Sequence, residues 1–294
     1  MLATPRVAAP PPIWDLAAQR FVSEDALLVR LVATRFRLLG EVHDNPAHHR
    51  LRAHLIRRIA ASGKRPAVVF EQFDLDRDAA LVAAQRGDGV NAEALATAGA
   101  LDRKSWDWPL HEPVLAAALA AGLPVRAGNA PRGELMRIAR ASAAAPTDAP
   151  WVARFAAAKW TPEAEAALRA EIVEGHCGKL PDAAIASIAR AQRMRDAAMA
   201  EALASAATTD GAILIAGNGH VREGVAVPAY LTEAGAGGIV TVGFIEMDSE
   251  DWVDPKFPDA FRTVPPGFGY VWFTPGALRE DPCRQMPDAP AAGR

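Results

Sequence analysis

The sequence predicts an α/β fold, in which a mostly parallel sheet is covered by helices and carries a smaller helical insertion. Three observations favour this fold. Short apolar runs alternate with helical segments, which is typical of parallel sheets. Several of these runs end in Gly or Asn and are followed by polar side chains. The alternation is interrupted once, over residues 150–206, where Ala, Glu and Arg dominate and strand-like runs are absent.

The predicted strands are short apolar runs that Gly, Pro or polar residues bound. They lie at 36–39, 67–70, 124–127, 212–216 and 238–245, with an edge strand expected at 267–273. A helix is predicted to follow the strand at 36–39. Its N-cap is Asn45, since Asn is favoured there, and Pro46 suits the first helical position. Two further helices are predicted at 113–121 and 228–233. A β-α-β order therefore repeats along the chain.

The domain organisation follows from this pattern. With 294 residues, of which 50% are hydrophobic, the chain is long enough to bury a full core. We predict one α/β domain formed by residues 13–149 and 207–275, a helical insertion at 150–206, and flexible tails at 1–12 and 276–294. Both tails are rich in Pro.

Composition excludes some classes of function. The formal net charge is -3 and the pI is about 6.2, so no global basic field attracts nucleic acid. No run approaches the roughly 20 apolar residues of a transmembrane helix. The N-terminus carries no signal-peptide pattern, which predicts a cytoplasmic protein as the sequence stands, or an envelope protein if the true start lies upstream. Cys177 and Cys283 argue against a disulfide framework but allow a single bridge, so the redox compartment stays undecided.

Polar side chains follow four of the predicted strands. They are Glu41 and His43, then Glu71, then Asn129 with Arg132, and finally Asn218 with His220. Ligands bind at the carboxyl ends of parallel strands, where the connecting loops converge. We therefore expect Glu41, His43, Glu71, Asn129 and His220 to share one pocket. The structural alternative for each residue is a cap or a loop hydrogen bond.

Two of these loops have the pattern Gly-x-x-His, at 40–43 and 217–220. His43 and His220, together with the carboxylates of Glu41 and Glu71, could bind a divalent metal such as Mn, Co or Zn. The same groups could perform acid/base chemistry, because a neighbouring carboxylate can hold the pKa of a histidine near neutral pH. Serine hydrolase, P-loop and dinucleotide-binding motifs are absent from the sequence.

The helical insertion supplies a second set of candidates. Gln192 and Asp196 fall on the apolar face of a predicted helix, whose stripe is formed by Ile185, Ile188, Met199 and Leu203. Buried polar groups need partners, so this helix either aims Gln192 and Asp196 into the cleft, together with Arg195, or forms an interdomain hydrogen-bond network. His176 and Cys177 lie between two glycines, which indicates either a loop turn or a haem or metal ligand.

Two weaker features have structural alternatives. The first predicted helix is crowded with cationic and imidazole side chains, which favour a solvated face over an anion-binding one. They are His48, His49, Arg50, Arg52, His54, Arg57 and Arg58. Trp106 and Trp108 precede His111 and could line an apolar pocket, although tryptophan more often packs in a core.

In order along the chain, these motifs resemble the ChaN-like haem-binding uptake family of the Tiki/TraB superfamily. The resemblance covers about residues 13–245. It is carried by LLGEVHDNP at 38–46 with His49, VFEQF at 69–73, GNAPR at 128–132, HCG at 176–178, Gln192 with RD at 195–196, and AGNGHV at 216–221.

The resemblance implies an α/β domain with a smaller helical part, haem binding linked to iron acquisition, and an envelope location. More distant members of the superfamily are metal-dependent proteases with paired Gly-x-x-His motifs. Two features depart from the family pattern. No lipoprotein signal is present, and His111 stands where a tyrosine ligand of haem iron is expected, since Tyr230 and Tyr270 are the only tyrosines. The iron-ligand candidates are therefore His111, His176 and Cys177.

We expect a haem-binding protein with its cleft between the sheet and the insertion. It could serve in iron or haem acquisition, and it could form a homodimer. In this hypothesis His43, with Arg50 and Arg52, anchors a propionate, and replacing His111 or His176 changes the Soret band. The alternatives are a metal-dependent hydrolase of the peptidase or esterase kind, in which Glu41 or Glu71 activates water beside His43 and His220, and an interaction module.

Overall fold

Eight strands of the chain hydrogen-bond into one sheet in the computed structural model, which describes residues 13–140, 149–233, 238–247 and 267–285. The strands are β1 (Ile13–Asp15), β2 (Arg20–Val22), β3 (Phe36–Leu39), β4 (Ala67–Asp74), β5 (Val125–Asn129), β6 (Ala212–Ile215), β7 (Ile239–Met247) and β8 (Tyr270–Pro275). Their order across the sheet is β2-β1-β8-β7-β3-β6-β4-β5. The predicted tail at 1–12 and residues 286–294 of the predicted tail at 276–294 lie outside the described residues.

The helices alternate with these strands as the sequence pattern predicts. They are α1 (Glu24–Ala33), α2 (Pro46–Ala61), α3 (Asp78–Ala84), α4 (Ala92–Ala98), α5 (Glu112–Ala120), α6 (Arg132–Arg140), α7 (Pro150–Ala157), α8 (Pro162–Gly175), α9 (Asp182–Ala206), α10 (Val227–Glu233) and α11 (Pro282–Gln285). Asn45 caps α2 as predicted, since its side chain accepts a hydrogen bond from the backbone N–H of Ala47 at 2.8 Å.

The sheet is parallel from β8 to β5, which confirms the predicted fold class. The prediction of an edge strand at 267–273 is wrong. Strand β8 lies inside the sheet, because β1 pairs with it antiparallel and β2 pairs in turn with β1. Each of these N-terminal strands has three residues, too few for an alternation to stand out in the sequence.

Apolar side chains cover both faces of the sheet. Helices α2 and α5 pack on one face, where Leu55, Ile59 and Leu115 are buried together with Leu39 and Phe70 of the sheet. Helices α9 and α10 pack on the other face and form a second core. That core includes Leu38, Val69, Met199, Leu203, Leu214 and Leu231. Burial on both faces accounts for the continuous apolar runs of β3, β4 and β6.

The predicted insertion at 150–206 consists of α7, α8 and α9. The C-terminal half of α9 packs on the sheet, whereas its first half packs against α8 through a small separate core. That core contains Leu168, Ile172, Ile185 and Ala189. Helix α9 therefore connects the α8 region with the main sheet as one continuous element.

The prediction that the basic face of α2 is solvated is wrong for three of its side chains. His48, His49 and Arg52 are each 0% exposed. They recur at helical spacing with Leu55 and Ile59, so they lie on the buried stripe of the helix. Arg52 is thus a structural cation of the interior rather than an anchor for a propionate.

Candidate functional site

The two Gly-x-x-His turns lie side by side because β3 and β6 are neighbours in the sheet. Leu39 is paired with Ile215, and the backbone N–H of Asn218 donates to the carbonyl of Glu41 at 2.9 Å. The Asn218 side chain is turned toward β7, where it accepts from the backbone N–H of Phe244 at 3.1 Å and donates to its carbonyl at 2.6 Å. Asn218, predicted to bind ligand, therefore has its amide committed to the sheet.

The two turns lie so close together that position 40 requires glycine. A Cβ atom at Gly40 would lie 2.2 Å from Oδ1 of Asn218 and 2.9 Å from a methyl carbon of Val221. We expect Gly40→Ala to destabilise the protein by about 1–3 kcal/mol, as overpacking of an interior does. The matched control is Gly133→Ala in α6, where an added Cβ meets nothing within 4 Å. Equal urea midpoints for the two variants would contradict this account.

Glu41 and His43 form the first half of the site. The Glu41 carboxylate is buried, accepts from Arg52 Nη2 at 2.5 Å and contacts Nδ1 of His43. Burial alone would raise the pKa of Glu41, but Arg52 and His43 lower it to about 2. The His43 side chain is 52% exposed, so its ring is held by Glu41 at Nδ1 while its other edge faces the cleft.

Glu71, Asp196 and His220 form the second half of the site. His220 donates from Nδ1 to Asp196 at 2.7 Å, and its Nε2 lies 3.2 Å from Glu71. Burial alone would lower the pKa of His220, but the two carboxylates raise it to about 10. His220 is therefore an imidazolium at neutral pH. Glu71 also accepts from the backbone N–H of Gly217 at 2.8 Å, which ties β4 to the second histidine turn.

Arg195 extends this network to β5. It donates from Nη2 to Glu71 at 2.5 Å and from Nε to Oδ1 of Asn129 at 3.1 Å. Asp196 is buried as the helical register predicts, whereas Gln192 is partly buried. The Gln192 amide oxygen is buried without a hydrogen-bond partner among the described residues. Helix α9 therefore contributes three polar side chains, Gln192, Arg195 and Asp196, to the site.

Two cavities flank the histidines, and His43, Gln192 and His220 line both. The first, here called the β4–β5 cavity, has a volume of about 500 Å³. It is lined by Glu71, Gln72, Asn129, Arg132, Arg195 and Trp106, among others. The second, here called the insertion cavity, has a volume of about 750 Å³. It lies between the histidine turns and α8–α9, and its lining includes Glu41, Leu168, Ile172, His176, Ile188 and Arg279.

The five residues that were expected to share one pocket are divided between these two cavities. Glu71 and Asn129 line the β4–β5 cavity, Glu41 lines the insertion cavity, and His43 and His220 line both. Arg132 lies at the rim of the β4–β5 cavity with 79% of its side chain exposed. His176 lines the insertion cavity, and its Nδ1 is 2.7 Å from the carbonyl of Ile172.

Two of the proposed iron ligands require correction. Cys177 forms a disulfide with Cys283, so it offers no thiolate in this state. His111 is 2% exposed and lines neither cavity, because Trp106 and the rings of His43 and His49 pack around it. Burial lowers the pKa of His111 to about 3, so it is a neutral interior histidine.

Glu41, His49 and His111 come close enough to suggest a metal centre. One potential ligand atom from each lies within 4.8 Å of the others. However, Arg52 already donates to Glu41 at 2.5 Å and to Nδ1 of His49 at 2.7 Å. A metal ion at these atoms would leave the fully buried guanidinium without those acceptors, which is costly. The positive charge of this cluster is therefore supplied by Arg52.

A metal shared by His43 and His220 is disfavoured on similar grounds. Both ring nitrogens of His220 face carboxylates, and its raised pKa keeps both protonated. An imidazolium has no lone pair to give to a metal ion.

Sequence reasoning missed three contributions to this site. Arg52 neutralises Glu41, Arg279 lines the insertion cavity, and the disulfide joins the chain at 177 and 283. Only Arg52 left a signal in the sequence, namely its helical spacing from Leu55 and Ile59. Arg279 and Cys283 belong to a Pro-rich stretch without periodicity, so their partners could not be read from the pattern.

An α/β sheet whose strand ends carry paired histidine turns under a helical cover belongs to the open-sheet α/β class, in which ligands bind at the carboxyl ends of the strands. The chain belongs to the family described as "Haem-binding uptake, Tiki superfamily, ChaN", whose model matches residues 27–231, more than two thirds of the sequence.

Comparison with solved structures supports this fold through a structure that covers most of the chain. ChaN of Campylobacter jejuni, described as binding haem cofacially, is similar to this chain with a TM-score of 0.72 and 19% identity, over 90% of this chain and 96% of that one. An erythromycin esterase EreC variant has a TM-score of 0.44 and 17% identity, over 82% of this chain and 77% of that one. RRSP, a MARTX toxin effector domain from Vibrio vulnificus, has a TM-score of 0.42 and 14% identity, over 78% and 37%.

No curated protein sequence matches the chain significantly. Among the helices of the described ranges, none combines the length and the apolar character that a membrane crossing requires.

Proposed function

We propose that this protein binds haem in the insertion cavity and that His43 is the iron ligand. The observation that carries the proposal is the Glu41–His43 pair at the wall of that cavity. Nδ1 of His43 is engaged by a buried carboxylate, which leaves Nε2 as the nitrogen directed away from Glu41. Histidines that ligate metals commonly donate their other N–H to such a carboxylate, which fixes the ring and makes it a better ligand.

The volume and lining of the insertion cavity suit haem. Its volume of about 750 Å³ lies in the range of ligand pockets for molecules of this size. Leu168, Ile172 and Ile188 supply an apolar wall for the macrocycle. Arg279 also lies at the lining, where it neutralises the carboxylates of Asp44 and Glu246 beside the cavity. Bound haem would contribute the iron. The protein would contribute an axial nitrogen and a cavity that is partly shielded from water.

His43 is favoured over the iron ligands that the sequence suggested. Cys177 is in a disulfide and His111 is buried outside the cavity. His176 lies on the lining of the same cavity and remains the second candidate. Its Nδ1 is engaged by a backbone carbonyl rather than by a carboxylate, so the electronic support for ligation is weaker than at His43.

Haem affinity is expected to rise with pH. Partial burial opposes protonation of His43, but its hydrogen bond to Glu41 and the charge of that carboxylate outweigh it, and the pKa of His43 is raised. Since a protonated imidazole cannot ligate iron, haem should be released as the pH falls below this pKa. Glu41→Gln removes the charge, lowers the pKa of His43 and should shift the midpoint of release to lower pH.

The measurement is a haem titration of the wild type and Glu41→Gln, followed by the Soret band between about pH 5 and about pH 9. Circular dichroism at each pH controls for unfolding. Absence of haem uptake by the wild type at every pH would refute the proposal. A midpoint that does not move in Glu41→Gln would refute the assignment of His43.

Three further proposals concern the biological role, the compartment and the oligomeric state of the protein, and each has indirect support. A role in haem or iron acquisition is supported by the family description. An oxidising compartment such as the bacterial envelope is supported by the disulfide, which reducing cytosol disfavours. A homodimer is supported by the cofacial haem binding described for ChaN of Campylobacter jejuni. Light scattering with and without haem would test the last of these.

A further inference from the structure

The segment 276–285 follows β8 and leaves the sheet. At its start, the backbone N–H of Gly276 donates to the carbonyl of Met247 at 3.2 Å, and that of Ala277 donates to Glu246 at 3.0 Å. Arg279 then forms two hydrogen bonds to Asp44, at 2.7 and 2.8 Å, and two to Glu246, both at 2.6 Å. This end of the segment is therefore fixed to the sheet side of the site.

The other end is fixed to the insertion. Cys283 is bonded to Cys177, with the Cα atoms 5.7 Å apart, and its carbonyl accepts from Lys179 Nζ at 3.2 Å. Cys177 follows His176, which lines the insertion cavity. The segment thus connects the two walls of this cavity, the histidine turns on one side and the α8–α9 turn on the other.

The α8 end of the insertion wall also packs against the start of α9. Among the described residues, the two helices share a small core of their own. The ties of α8 to the sheet side include the ion pair of Glu171 with Arg222, at 2.5 Å. Breaking the disulfide would therefore remove a main restraint on the distance between the walls.

We propose that residues 276–285 are a redox-sensitive strap that ties the two walls of the insertion cavity together when oxidised and frees its helical wall when reduced. This inference rests on the proposed function for its ligand. The reductant is a dithiol, which gives two electrons and two protons. The S–S bond breaks, Cys177 and Cys283 become thiols, and the dithiol becomes a disulfide. The ionic contacts of Arg279 then hold the strap to the sheet side, and the covalent tie to the insertion is lost.

The test compares haem exchange in the oxidised wild type, the wild type reduced with a phosphine, and Cys177→Ser/Cys283→Ser. Ferric haem is loaded, and its transfer to excess apomyoglobin is followed by absorbance. We expect transfer to be roughly tenfold faster without the bridge, equivalent to about 1.4 kcal/mol. The serine variant should not respond to the phosphine. Equal rates in all three samples would overturn the proposal.

A second readout does not depend on haem. Amide hydrogen exchange in α8 and in the 41–44 turn should be faster in the serine variant than in the oxidised wild type. Arg279→Gln, which keeps the bridge, should loosen the 41–44 turn and leave α8 protected. If the oxidised wild type takes up no haem, the proposed function fails. Hydrogen exchange still tests whether the segment 276–285 restrains α8. Unchanged exchange in α8 would overturn the proposed strap.

Discussion

Replacing His43 with Ala is expected to weaken haem binding by roughly 100-fold, or about 2.7 kcal/mol, and to change the Soret band. The reason is that the variant loses the cavity-lining imidazole that Glu41 supports for ligation. Added imidazole should restore part of the wild-type spectrum by occupying the space of the deleted ring.

His54→Ala is the matched control, because His54 lies on α2 and pairs with Glu24 away from both cavities. The sequence alone suggested the opposite division, with spectral changes in the His111 and His176 variants and only an affinity loss at His43. A wild-type spectrum in His43→Ala, together with a changed one in His176→Ala, would move the iron to the insertion wall.

Glu71→Ala is expected to be the most destabilising single change in the site. It would leave the buried imidazolium of His220 without one of its two carboxylates and remove an acceptor from Arg195. Loss of one partner from a buried ion pair costs about 3–5 kcal/mol. The pKa of His220, now about 10, should fall in this variant.

Urea unfolding at neutral pH measures this effect, with Asp76→Ala as the control. Asp76 also lines the β4–β5 cavity, but its side chain is 55% exposed and its nearest cation, Arg77, is 3.9 Å away. If the free energy of unfolding of Glu71→Ala fell by less than about 1 kcal/mol, the attraction between Glu71 and His220 would only offset the cost of burying their charges.

The strands of the parallel sheet and their polar ends could be predicted from the sequence. Apolar runs that Gly stops, such as 36–39 and 212–216, carry both the strand and the turn that follows. Because all parallel strands end at one edge, His43 and His220 could be placed together without knowing their contacts. The strand order supplied the rest, since β3 lies next to β6.

The roles of individual side chains were harder to predict. His111 and Cys177 are ligand types by chemistry, yet one is enclosed by aromatic rings and the other is oxidised. Neither fact has a local signal, because each depends on residues distant in the sequence. Gln192 and Asp196 were better predicted, since helical periodicity reports which face is buried. The antiparallel strands at the N-terminus are too short to show an alternation of apolar and polar residues in the sequence.

The pairing of β3 with β6 also has a consequence for how the protein is made. The first histidine turn is synthesised early, but its partner strand begins only at Ala212, and parallel pairing between such distant segments is slow to form. The N-terminal helices can collapse on β3 while the ribosome is still translating the insertion. His43 and His220 cannot meet until the chain has emerged beyond residue 220. A nascent chain stopped before that point would therefore carry the Glu41–His43 turn without the cavity that it serves.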